Sequence, residues 1–184
     1  MKKALWMISV LAAIGLICGL SLSSVYRYAA PLIAENKKRA LEESIYKVLQ
    51  DIARYEVIEK EGLVIYAGIE ADGDIAGYAF MAKGAGYQGE ISVIFGIGAE
   101  LDKLKGIEVL ESLETPGLGG KITDAGFKDQ FKGLSTLPEI GYVKSHSPEN
   151  DNEVQAISGA TISTRSIVAI LNDGISKMRD ALKR

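Results

Sequence analysis

Between Lys3 and Arg27 the chain carries no charged side chain, and Leu, Ile, Val, Ala, Trp and Met dominate the interval. A helix rises about 1.5 Å per residue, so a run of this length crosses a hydrocarbon layer of roughly 30 Å. No other feature limits the fold so strongly, because everything after it must be a domain tethered to a membrane. The apolar run exceeds the roughly 7 to 15 residues of a signal-peptide core, and Tyr26, Arg27 and Tyr28 have the character of interfacial anchors. The segment therefore reads as a retained, single-pass anchor. Cys18 lies inside it behind Gly15-Leu16-Ile17, and a bulky residue just before the Cys is a poor context for lipidation. Lys2 and Lys3 make the short leading end positive, partly opposed by Arg27, Lys37, Lys38 and Arg39, which favours a cytoplasmic N-terminus and an extracytoplasmic domain.

Composition excludes several classes of function. A length of 184 residues admits one ordinary domain beside the span. The net charge is -3, with Lys and Arg scattered, so there is no basic stripe for nucleic acid. One His and one intramembrane Cys leave no ligand set for zinc or an iron-sulfur cluster and no His-dependent triad. No metal ligand and no catalytic residue is assigned; redox work would need an organic cofactor. His146 sits in the polar run Lys144 to Pro148 and reads as a solvated loop residue, as do carboxylate neighbours such as Glu149 and Asp151.

The organisation expected is an anchor helix over 1–30, an amphipathic linker helix over 31–52 and a folded domain over 53–184. In the linker, Leu41, Ile45, Val48 and Leu49 recur at helical spacing beside charged residues. From Tyr55 to Glu114 short β-branched and aromatic runs predict strands at Leu63 to Ile69, Ile75 to Met81, Ile91 to Ile97 and Leu104 to Leu113. Asp72-Gly73 and the stretch Glu100 to Lys103 predict hairpin turns, hence a mainly antiparallel sheet. A short helix around Asp124 to Phe131, a strand at Val154 to Ile157 and a closing helix with Ile167, Val168, Leu171, Ile175, Met178 and Leu182 on one face complete an α+β domain.

The chemistry concentrates in three segments. Ser158-Gly159-Ala160-Thr161, followed by Ile162-Ser163-Thr164, puts small and hydroxyl residues where a strand becomes a helix, a place whose unpaired N–H groups and positive dipole end suit a phosphate. Taken alone, the tetrapeptide is better explained by Ser158 capping the helix, because capping is so frequent. Glu114-Thr115-Pro116-Gly117-Leu118-Gly119 is a tight Gly-rich loop, and Lys83-Gly84-Ala85-Gly86-Tyr87-Gln88-Gly89 lacks the spacing of a dinucleotide fingerprint.

Together these segments resemble the FMN-binding domains of bacterial respiratory complexes, with the best likeness among the G subunits of Rnf-type ion-translocating electron transport complexes. The C subunits of sodium-pumping NADH:quinone reductases are similar in motif but usually longer. Gln155 stands where many members have Asp. The resemblance implies one FMN joined by a phosphoester to Thr161, installed by a separate flavin transferase, with Ser158, Gly159, Ala160, Ser163 and Thr164 around it. It also implies cofactor contacts from Glu114, Thr115, Gly117, Leu118, Gly119 and Tyr87, with Leu118 packing on the isoalloxazine face. The expected role is electron relay in the membrane of a bacterial cell, within a ferredoxin:NAD oxidoreductase whose other subunits hold the remaining redox sites; the subunit is not catalytic alone. Other readings are a quinone-reductase subunit, a stand-alone extracytoplasmic flavin carrier and a non-redox assembly subunit.

Overall fold

The computed structural model describes residues 2–182, which divide into two units, one up to Ala40 and one from Leu41 onward. Helix α1, Lys2–Leu49, begins in the first unit, where its Leu, Ile and Trp side chains are exposed, and it is long and apolar enough to cross a membrane. It continues through Pro31 at the loss of one intrahelical hydrogen bond.

The second unit is built on a five-stranded antiparallel meander in the order β1 (Arg54–Lys60), β2 (Leu63–Ile69), β3 (Ile75–Ala85), β4 (Glu90–Gly98) and β5 (Leu104–Ser112). Each connection is short and local. Between β1 and β2, Glu61 (φ 53°) and Gly62 (φ 78°) both take positive φ, the two-residue geometry that follows strand twist. The expected turn at Asp72-Gly73 joins β2 to β3, with Gly73 N–H donating to the Glu70 carbonyl at 3.2 Å. Leu101 N–H donating to Gly98 O at 2.9 Å turns β4 into β5.

Period-two alternation sorts the sheet into two packed faces. Ile58, Ile65, Phe80, Phe95 and Ile107 stand opposite one another across all five strands and meet Ile167, Leu171, Ile175 and Met178 of helix α3 (Thr161–Leu182) in the main core. Phe80 and Phe95 pack edge to face, with ring centroids 6.0 Å apart. On the reverse face the neighbouring row ends in the small residues Ala79, Gly96 and Gly106. There the last turns of α1 lie so close that a Cβ on Gly96 would collide with the Val48 carbonyl oxygen. Ile45, Val48 and Leu49 are thus buried, packed on Ala79 and Ile94.

After β5 the chain folds into a 3-10 turn (Gly119–Thr123), helix α2 (Ala125–Lys128) and a second 3-10 turn (Asp129–Phe131). Beyond them, β6 (Gly141–Val143) and β7 (Glu153–Gln155) pair in parallel as a separate ribbon. The strand expected at Val154 to Ile157 is therefore this short β7, outside the main sheet. From α3, Asn172 pairs with both backbone groups of Ile140 at 2.9 Å, and Arg179 donates to Leu101 O and Thr136 Oγ1, both at 2.7 Å.

A candidate cofactor site at the start of the last helix

The site forms where three chain reversals meet. The turn between β3 and β4 is Gly86-Tyr87-Gln88-Gly89, closed by Gly86 N–H donating to Gly89 O at 2.7 Å. In the loop after β5, Leu118 and Gly120 both donate to the Thr115 carbonyl, at 3.1 and 2.9 Å. Pro116 presets the bend and Gly117 supplies the positive φ, 79°, that the second corner of such a turn requires. The third part is the start of α3. These pieces enclose a cavity of about 460 Å³, within the usual range for a cofactor site.

Glu114 ties the three parts together. It is 7% exposed. Its Oε1 accepts the N–H groups of Tyr87 and Gln88 at 2.6 and 3.0 Å, and its Oε2 accepts the Ser163 hydroxyl at 2.6 Å. Burial alone pushes this carboxyl upward, but the Ser163 hydroxyl and the Gln88 and Tyr87 amides outweigh it and hold the group below the ordinary carboxylate range. Two glycines make the fit possible. A Cβ on Gly86 would stand 2.5 Å from Oε1, and one on Gly119 would run into Oε2 and the Ser163 hydroxyl.

Nine of the residues singled out in the sequence line this cavity: Tyr87, Glu114, Thr115, Leu118, Gly119, Gly159, Ala160, Thr161 and Ser163. Ser158, Gly117 and Thr164 do not. Gly117 shapes the loop from behind. Thr164 is fully buried, its hydroxyl accepting the Ile157 N–H at 3.1 Å and donating to Ala160 O at 3.4 Å. Ser158 is exposed and lies outside the cavity. Ile162 joins the lining although no motif pointed to it; its one sequence signal is an apolar side chain out of phase with the buried face of α3.

The helix start itself has the right chemistry for an anion. Ala160, whose carbonyl accepts the Thr164 N–H at 3.2 Å, has no side-chain acceptor to offer the first amides of α3, and a helix start of that kind suits an anion. Ser163 and Thr164 spend their hydroxyls inside the protein, whereas no described residue hydrogen-bonds the Thr161 hydroxyl. Tyr87, Leu118 and Ile162 are exposed and give the cavity an apolar mouth over a buried floor of Glu114, Gly119, Ala160 and Ser163. A phosphate at the helix start with a flat aromatic ring against the apolar side chains matches this donor set.

The family model described as the FMN-binding domain matches residues 86–176, the stretch that contains all three parts of the cavity. The G subunit of the sodium-translocating ferredoxin:NAD oxidoreductase complex of Acetobacterium woodii is 36% identical over 67% of this chain, and the match spans 59% of that relative's length. The G subunit of the ion-translocating oxidoreductase complex of Methanosarcina acetivorans is 31% identical over 78% of this chain and 76% of its own. Among solved structures, NqrC of Shewanella oneidensis shares the fold with a TM-score of 0.58 at 23% identity, covering 61% of this chain and 55% of that one. By sequence, the chain belongs to the family formed by the G subunits of ion-translocating oxidoreductase complexes, which carries an FMN-binding domain.

Proposed function

We propose that this chain is the membrane-anchored flavoprotein subunit of a Rnf-type ion-translocating ferredoxin:NAD oxidoreductase, holding one FMN as a phosphoester of Thr161. The observation that carries the attachment is the contrast among hydroxyls at the start of α3: those of Ser163 and Thr164 are committed to Glu114 and the backbone, while Thr161 lines the cavity and no described residue hydrogen-bonds its hydroxyl. The uncapped amides of α3 would hold the phosphate, and Leu118, Ile162 and Tyr87 would bound the ring. Bound there, FMN would supply the ability to accept and release electrons. Partner subunits follow from the names of the relatives, each one component of a larger complex. The charge pattern around the span supports a cytoplasmic N-terminus and a domain outside it, where a tether prevents loss of a scarce cofactor.

Attachment is tested by expressing the chain with a flavin transferase, denaturing it, and measuring in-gel flavin fluorescence and intact mass. The expected product gains FMN less one water, because the Thr161 oxygen replaces a phosphate oxygen. Thr161→Ala is expected to abolish the adduct, with Ser158→Ala retaining it. An undiminished adduct in the Thr161 variant rejects the assignment.

A further inference from the structure

Glu114 is more than a structural tie. It lines the same cavity as Thr161, and it has no ion-pair partner among the described residues. Among the described residues its side chain's partners are three neutral dipoles, the Tyr87 and Gln88 amides and the Ser163 hydroxyl, which solvate its negative charge without neutralising it. Gly86 and Gly119 lie so close to its two oxygens that neither position has space for a Cβ. A charge on a buried group is screened less than one in bulk water, so it acts more strongly on a neighbouring charge.

We propose that the buried Glu114 carboxylate is a fixed negative charge that holds the midpoint potential of the bound flavin low. The inference rests on the FMN reading above. Every electron that enters the cavity without a proton adds negative charge beside Glu114, so the carboxylate opposes reduction, and removing its charge makes reduction easier. Glu114 is thus a positioning residue with an electrostatic role, acting on the cofactor through space while its oxygens stay on protein donors. Its lowered proton affinity keeps it charged at neutral pH.

Redox titration of the flavin-loaded, detergent-solubilised full chain, with dithionite as electron donor and mediator dyes, tests this. Glu114→Gln keeps the shape: its amide oxygen still accepts the Tyr87 and Gln88 N–H groups and its NH₂ donates to Ser163 Oγ. Its midpoint, measured on the flavin-loaded fraction, is expected to shift to more positive potential than the wild type. Ser163→Ala removes a donor but keeps the charge, and its midpoint is expected to stay put or move negative. A purely structural role would move both variants in the same direction. Equal midpoints for wild type and Glu114→Gln, an equal positive shift in Ser163→Ala, or a Glu114→Gln chain that takes up no flavin each overturn the inference while leaving FMN attachment standing. A wild-type chain that takes up no flavin overturns the proposed function and this inference together.

Discussion

At the scale of single residues, three hydroxyls within four positions of α3 have three different fates. Thr161 faces the cavity, Ser163 donates to Glu114 at 2.6 Å and Thr164 turns back to the backbone. The motif marked the region, but residue type could not separate these roles, because helical phase decides which hydroxyl meets which neighbour. Glu114 likewise stood out as a motif residue, while its partners 26, 27 and 49 positions away became apparent only once the chain had folded. Those partners make a prediction about acid stability. The folded-state pKa of Glu114 lies below its ordinary value of 4.5, so its contribution to stability is present above that value and is lost as pH falls through the folded value. Urea unfolding at neutral and acid pH should show the wild type losing more stability on acidification than Glu114→Gln. Other carboxylates titrate in both chains, and the difference isolates this one.

At the scale of elements, strands β2 to β5 were legible because each alternates apolar residues and is bounded by Gly or Asp turn chemistry. Strand β1 was harder to delimit. As an edge strand rich in charge, with Glu56, Glu59 and Lys60, it obeys the demands of an exposed edge more than those of the core. The amphipathic pattern of Leu41 to Leu49 was read correctly as helical, but its destination depends on Gly96 and Gly106 lying side by side across β4 and β5, a register that no local pattern announces. Helix α3 was the clearest, with one apolar face and one job on each end. Leu171→Ala in its fully buried middle is expected to cost about 2 to 5 kcal/mol in urea unfolding. Arg179→Ala, at the end remote from Thr161 in sequence, should cost about 1.5 to 3 kcal/mol through the lost bonds to Leu101 O and Thr136 Oγ1, with flavin content in the surviving folded protein unchanged.

At the scale of the whole molecule, the chain from Leu41 onward forms one compact unit, where the sequence led us to expect a domain start at 53. We propose the later turns of α1 as part of the domain. Ile45, Val48 and Leu49 are each at most 1% exposed. Burial of each is worth about 1.5 to 3 kcal/mol, a large share of the roughly 5 to 15 kcal/mol that holds an ordinary domain together. A fragment covering 41–184 is expected to be soluble with a cooperative thermal transition, and one covering 53–184 to aggregate or melt far lower; equal melting of the two would reject the boundary. The way the cavity is assembled also sets an order of events. One wall comes from 86–119 and the other from the start of the closing helix, joined by a bond between residues 49 positions apart. A nascent chain therefore presents the Thr161 peptide before it presents the cavity. Any ligand or modifying enzyme that grips both walls recognises completed molecules and passes over unfinished ones, which makes occupancy of this site a record of successful folding.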